Sequence, residues 1–154
     1  MRINNFFKLV IAIAVCELAG VLGVMFMAQS PWYAGLVKPT LNPPAWVFGP
    51  VWMILYFLMG VSLWLVWKSD SHARMQALGL FAAQLVLNAI WTPVFFGAHS
   101  IGNALAIIVL LWAAIVMTII IFTKISKPAA WLLVPYILWV TFAAYLNYSL
   151  WTLN

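Results

Sequence analysis

The chain has 154 residues, of which 68% are hydrophobic and 16% aromatic, while 6% carry a charge and the formal net charge is +5. A water-soluble domain is roughly a quarter charged, so this composition excludes an ordinary soluble fold, and its aromatic content excludes disorder. One cysteine excludes a disulfide scaffold, and seven Lys and Arg scattered among apolar runs give no basic face for nucleic acid. Five apolar runs follow in order, over residues 6–28, 46–67, 75–97, 101–123 and 128–153. Each meets the ~20 residues that an α-helix needs to cross ~30 Å of hydrocarbon. The expected fold is therefore an all-α membrane protein, a five-transmembrane-helix bundle forming one domain over 1–154. A transmembrane barrel needs ~10-residue alternating segments, whereas these runs are apolar on every side.

The first run carries Glu17 and is read as a span, not a cleaved leader. Val15 before Cys16 spoils a lipoprotein box, and the Met25-Phe26-Met27 region lacks paired small residues. The loop over 29–45 holds Pro39, Pro43 and Pro44, which fix φ and bias the preceding residues to extended backbone, so a stiff lid is expected. The later links are short, which makes neighbouring helices antiparallel. Arg2, Lys8, Lys68, Arg74, Lys124 and Lys127 then fall on one side and Lys38 alone on the other. By the positive-inside rule, the N-terminus is expected in the cytoplasm of a bacterial cell, with the lid and the C-terminus outside.

No catalytic set can be assembled. Glu17 lies in the first run and Asp70 in a link, so no carboxylate pair can run acid–base hydrolysis. Cys16 stands alone, and His72 and His99 fall in links on opposite faces of the weave, so no metal site is predicted. Neither a Ser/His/Asp set nor a phosphate loop nor a dinucleotide fingerprint is present. Glu17 has two readings: a membrane acid that exchanges protons in a transporter, or a carboxyl that sits shallowly in a wet vestibule or hydrogen-bonds neighbouring backbone.

The aromatic groups are the main resource. Trp32, Tyr33, Trp46, Trp67, Trp131 and Trp151 lie near helix ends, where Trp and Tyr anchor at the headgroup interface. Deeper residues form faces at helical spacing: Trp52, Tyr56 and Met59; Gln84, Asn88, Trp91 and Phe95; Trp139, Ala143 and Asn147. Amides are costly in hydrocarbon unless partnered, so these faces should turn inward, either to bond another helix or to line a cavity. Ala19-x-x-x-Gly23 and Gly79-x-x-x-Ala83 have the spacing that lets helices approach closely, the second about 100° from the Gln84/Asn88 face and free for a partner subunit.

Three stretches carry a resemblance: Trp32-Tyr33-x-x-Leu36-x-Lys38-Pro39-x-x-x-Pro43-Pro44-x-Trp46-x-Phe48-x-Pro50-x-Trp52-x-x-Leu55-Tyr56-x-x-Met59-Gly60, Gln84-x-x-x-Asn88-x-x-Trp91-x-Pro93-x-Phe95-Phe96-Gly97, and Trp131-Leu132-Leu133-x-Pro135-Tyr136-x-x-Trp139-x-x-Phe142-Ala143-x-x-Leu146-Asn147. The chain resembles the TspO/translocator protein family, also called tryptophan-rich sensory proteins or peripheral-type benzodiazepine receptors. The resemblance implies a five-helix bundle, usually a homodimer, that binds protoporphyrin IX or haem, sterols in eukaryotic members, and isoquinoline carboxamide or benzodiazepine ligands. It implies no obligatory cofactor. The matching pocket positions are Tyr33, Pro43, Trp46, Trp52, Tyr56, Asn88, Trp91, Trp139, Ala143 and Asn147, beneath a lid that includes Trp32, Lys38, Pro39 and Pro44.

In some bacterial members protoporphyrin breaks down in light, with the tryptophans matching Trp52 and Trp139 implicated. Two departures bear on what carries over. Many members have a tryptophan where this chain has Thr40-Leu41, and Tyr145 and Tyr148 are followed by no Lys or Arg, leaving the sterol pattern incomplete. For propionates, Lys38 is the only cation expected on the lid side. A binding and sensory protein for porphyrins is the leading expectation. Light-dependent breakdown and Glu17-dependent transport are the alternatives.

Overall fold

A run that is apolar around its whole circumference suits a helix in lipid, where each backbone N–H and C=O must be satisfied within the segment. The computed structural model describes residues 4–27 and 31–154 and is helical throughout its long elements. Arg2 and the expected helix end at Ala28, with the loop residues up to Ser30, lie outside the described residues. The elements are α1 (Asn5–Met27), α2 (Pro31–Gly35), α3 (Ala45–Trp67), α4 (Arg74–Thr92) continuing into a π-helical turn (Pro93–Gly97), α5 (Ile101–Thr123), α6 (Lys127–Leu132) and α7 (Val134–Leu153). Four spans are long and apolar enough to cross a membrane: Ala45–Trp67, Arg74–Gly97, Ile101–Thr123 and Lys127–Leu153. With its 23 residues, α1 is a further long helix.

Three expected elements are altered by local chemistry. The helix expected over 75–97 changes winding at Pro93, which has no N–H to continue the α ladder. There the backbone switches to i to i+5 pairing, with Ala98 N–H donating to Pro93 O at 2.8 Å. The wider turn lets two consecutive rings, Phe95 and Phe96, both face inward. The helix expected over 128–153 breaks at Leu133, two residues before Pro135, into α6 and α7. The loop expected over 29–45 contains a helical turn, α2, with Pro31 at its start, where the missing N–H costs nothing.

Packing places the ends of the bundle. α1 lies along α3, α4 along α5, and α5 along α7. At one end the Trp64 indole N–H donates to Asn5 O at 2.9 Å, and the Lys8 ammonium sits 5.9 Å from the Trp67 ring centroid. Nearby, the Ser62 hydroxyl donates to Ala129 O at 2.7 Å, fixing α6 to α3, and Phe81 stacks on Phe122 with centroids 6.0 Å apart. The cationic residues Lys8 and Lys68 and the link bearing Lys124 and Lys127 thus share one end. The first loop closes the other, where the Asn154 carboxamide bonds both Val37 N and Val37 O, at 2.9 and 3.1 Å. Gly79 and Ala83 are exposed on α4, and a Cβ at Gly79 meets nothing within 4 Å.

Candidate functional site

The lid end is hollow. A cavity of about 570 Å³ lies beneath the first loop, walled by rings from four elements: Tyr33 of α2, Phe48 and Trp52 of α3, Trp91 of α4 and Trp139 of α7, with Phe95 and Phe96 from the π-turn. Pro43 and Pro44 form part of its roof, and Ala143 and Asn147 part of its α7 wall. A second chamber of about 290 Å³ shares Ala45, Phe48, Trp52, Trp91 and Ala143 with the first and extends toward Gly20 and Gly23 of α1 and Ile108 and Leu111 of α5. Tyr56 and Asn88 line this second chamber. Both volumes suit ligand sites, which are commonly a few hundred Å³ and mostly apolar with a few polar points.

Two of the amides, Asn88 and Asn147, answer the question their spacing left open by doing both jobs, whereas Gln84 only bonds another helix. Asn147 accepts from the Trp91 indole N–H and donates to Ile101 O, both at 3.0 Å, tying α7 to α4 and α5 while lining the lid cavity. Asn88 accepts from the Tyr56 hydroxyl at 2.5 Å and donates to the Tyr136 hydroxyl at 2.8 Å, while lining the second chamber. The Trp139 indole N–H is buried and has no acceptor among the described residues, although Trp139 lines the lid cavity. Trp52, which lines both spaces, stacks on Tyr56 with ring centroids 5.4 Å apart.

The lid is held by its own chemistry. Trp32 lines neither cavity. It stacks on His99 at 4.4 Å and meets Phe95 edge-on at 5.7 Å, so it clamps α2 to the π-turn. His99 has φ 54°, a left-handed conformation that ends the turn and presents its ring to Trp32. Pro39 lines neither cavity; its carbonyl accepts from Asn42 N–H and closes a turn. The Tyr33 hydroxyl donates to Asn42 at 3.1 Å. Burial pushes its phenol up from the ordinary value of 10.0, while that hydrogen bond pulls it down.

Two expected contributions are corrected. Trp46 is 75% exposed and lines neither cavity. Ala45, Phe48 and Trp52 form the inward stripe of α3, and a residue one step from Ala45 points about 100° away from it. Lys38 lines the lid cavity, but its ammonium donates to Tyr33 O, Ala34 O and Leu36 O at 2.9, 3.1 and 3.3 Å. It caps the carbonyl end of α2, so a propionate would have to compete for donors already in use. Glu17 is half-exposed on α1 and lines neither cavity.

Residues not foreseen complete the walls. Leu146 and Leu150 extend the Trp139/Ala143 stripe at helical spacing, and Phe48 lies four residues before Trp52, so the period carries a signal for all three. Ile108 and Leu111 come from an almost wholly aliphatic helix, where nothing separates a wall from a lipid face. Thr92 is buried at the second chamber with no hydrogen bond to its hydroxyl among the described residues.

An apolar multi-helix chain with an aromatic cavity under a structured loop has the form of a multi-pass membrane protein. Residues 12–152 match the TspO/MBR family, and the chain belongs to it. It is 45% identical over 152 residues to the tryptophan-rich protein TspO of Chlorobaculum tepidum, covering 95% of both chains. It is also 45% identical over 126 residues to the human translocator protein, covering 80% of this chain and 75% of that one. With the tryptophan-rich sensory protein of Cereibacter sphaeroides it shares 38% identity over 142 residues, 92% and 88% of the two chains. The family and the apolar helices together make it a multi-pass membrane protein.

Proposed function

We propose that the lid cavity, together with the second chamber that shares its Phe48, Trp52 and Trp91 walls, binds a tetrapyrrole, protoporphyrin IX or haem, and that the protein is a membrane binding and sensory protein that regulates or moves porphyrins in stress or tetrapyrrole metabolism. One observation carries this reading: Trp52, Trp91, Trp139, Tyr33 and Phe48 wall a single cavity of about 570 Å³. A flat macrocycle stacks on such rings, each good aromatic pair contributing on the order of 0.5–1.5 kcal/mol beyond area burial. Sterols and isoquinoline carboxamide or benzodiazepine ligands are further candidates for the same space.

The test is a titration of purified protein with protoporphyrin IX, followed by tryptophan fluorescence, with an unrelated helical bundle as control for partitioning into detergent. Saturable quenching, weakened in Trp139→Phe and in Asn88→Ala, supports the reading. Linear quenching equal to the control overturns it.

A second reading has one specific support, since Trp52 and Trp139 line the same cavity. Light-dependent breakdown of bound porphyrin then requires both rings, and unchanged photobleaching in Trp52→Phe and Trp139→Phe removes it. Glu17-dependent transport has no such support, because Glu17 lies outside both cavities. In the membrane, α1 and the four spans form five crossings, with the end bearing Lys8, Lys68, Lys124 and Lys127 in the cytoplasm of a bacterial cell and the lid outside. The exposed Gly79/Ala83 stripe is the proposed contact of a homodimer.

A further inference from the structure

Behind the second chamber runs a buried hydrogen-bond chain that ends on an unused donor. Tyr56 O–H donates to Asn88 Oδ1, Asn88 Nδ2 donates to Tyr136 Oη, and Tyr136 O–H donates to Gln84 Oε1 at 2.9 Å. Gln84 Nε2 is buried with no acceptor among the described residues, and Gln84 and Tyr136 are each 1% exposed. Only Tyr56 and Asn88 reach the chamber; Gln84 and Tyr136 are absent from both cavity walls. With this polarity the Tyr56 proton is spent on Asn88, so its oxygen offers the chamber lone pairs alone.

The same oxygen and nitrogen positions accommodate the opposite polarity. A half turn of each carboxamide exchanges its oxygen and nitrogen, and a hydroxyl proton rotates freely. Gln84 Nε2 then donates to Tyr136, Tyr136 to Asn88 Oδ1, and Asn88 Nδ2 to Tyr56, which releases the Tyr56 O–H into the chamber. Each polarity makes three hydrogen bonds. Each leaves one Gln84 atom without a partner, Nε2 in the first and Oε1 in the second, and they differ in that the second moves a donor to the chamber, where a ligand can use it. An acceptor arriving in the chamber adds a fourth hydrogen bond to the second polarity alone, and so shifts the balance toward it.

We propose that the Tyr56–Asn88–Tyr136–Gln84 chain is a reversible specificity device: its polarity decides whether the chamber presents a donor or an acceptor, and Gln84 and Tyr136 are positioning residues that select ligands they never touch. The device rests on the chamber being a ligand site, as proposed above. It favours molecules whose buried edge carries a carbonyl, ether or ring nitrogen. Replacing Gln84 by Leu removes the acceptor for Tyr136, whose proton then has only Asn88 Oδ1 to go to, and the chain is held in the donor-presenting polarity.

The experiment uses two probes in purified full-length protein: a tertiary isoquinoline carboxamide, whose carbonyl only accepts, and its analogue with the carbonyl reduced to methylene. In Gln84→Leu the affinity ratio of carbonyl to methylene probe rises about threefold or more, and in the Tyr136→Phe background the same substitution leaves the ratio unchanged. An equal change in both probes, or no change in either, overturns the proposal, since a merely structural role alters them together. A ligand-free readout separates the device from the binding reading. The infrared C–O stretch of isotope-labelled tyrosine reports Tyr56 as a donor in the parent and an acceptor in Gln84→Leu, with Tyr56→Phe assigning the band. If neither probe binds the parent, the ligand reading fails while the band shift still decides the chain. If Gln84→Leu does not fold, Gln84→Met, of similar volume, serves in both measurements.

Discussion

Gly60 and Gly49 lie three turns apart on α3 and do opposite things. A Cβ on Gly60 would stand 2.6 Å from Ile13 Cα, so glycine there lets the backbones of α1 and α3 touch. A Cβ on Gly49 meets nothing within 4 Å, and that glycine borders the second chamber. The two positions represent the two ends of the bundle. The end bearing Lys8 and Lys68 is closed by backbone approach, the Ser62 hydrogen bond and the Phe81/Phe122 stack, whereas the lid end keeps its helices apart with large rings around a void. Lipid tails are as apolar as leucine, so helices adhere through close packing and polar bonds, and a hollow end needs a filled end to hold it open.

The largest expected effect tests the filled end. Gly60→Ala forces α1 from α3 because the obstructing atom is backbone and cannot rotate away, and overpacking of this kind costs about 1–3 kcal/mol. Thermal unfolding in detergent should show a clear loss for Gly60→Ala, with Gly49→Ala unchanged within about 0.5 kcal/mol. Equal behaviour of the two variants breaks the contrast. Next comes Asn147→Leu, which leaves the Trp91 indole N–H without its acceptor and removes the side-chain bond from α7 to Ile101 O. Unmade bonds in a membrane interior cost about 1–2 kcal/mol, and porphyrin affinity should fall as Trp91 loses its orientation. Retained affinity with reduced stability would show that Asn147 holds helices without shaping the cavity.

A smaller effect belongs to the lid. Asn154 bonds Val37 on both its backbone groups, and these bonds are exposed. Asn154→Ala should leave global stability within about 0.5 kcal/mol of the parent while hydrogen exchange at Val37 and ligand dissociation both speed up about threefold. Unchanged dissociation would mean that the ring contacts of Trp32 and Tyr33 keep the lid closed without Asn154.

How much of this was legible in the sequence follows from what sets each feature. Long apolar runs gave the helices, and the boundaries of α5 were read correctly because nothing but hydrophobicity acts there. The proline positions were visible, but their consequences depend on which carbonyl loses a partner, so the π-turn at Pro93 and the break before Pro135 were not anticipated. Helical spacing brought Trp52, Trp91, Trp139 and Asn147 to one cavity, yet it placed Tyr56 and Asn88 only on inward faces, without showing that they serve the second chamber. The use made of Lys38 was hidden, because a cation beside a five-residue helix caps it only once that helix exists. His99 was set aside for want of metal partners, and its role is to stack on Trp32.

The smallest predicted effect is a pH dependence confined to the lid. Burial holds the Tyr33 phenol above its ordinary value of 10.0 against the opposing pull of Asn42, so the closed lid prefers the neutral form. A lid that has lifted returns Tyr33 to water, where it ionises near pH 10. The contribution to closure is therefore complete below about pH 10 and is lost as pH rises through the higher value of the closed state. Porphyrin dissociation should be flat from about pH 6 to about pH 9 and accelerate above it. Tyr33→Phe should dissociate somewhat faster at neutral pH, having lost the Asn42 bond, and should show no alkaline rise of its own. An alkaline rise that survives in Tyr33→Phe would assign the sensitivity to another part of the lid and leave Tyr33 as a wall of the cavity alone.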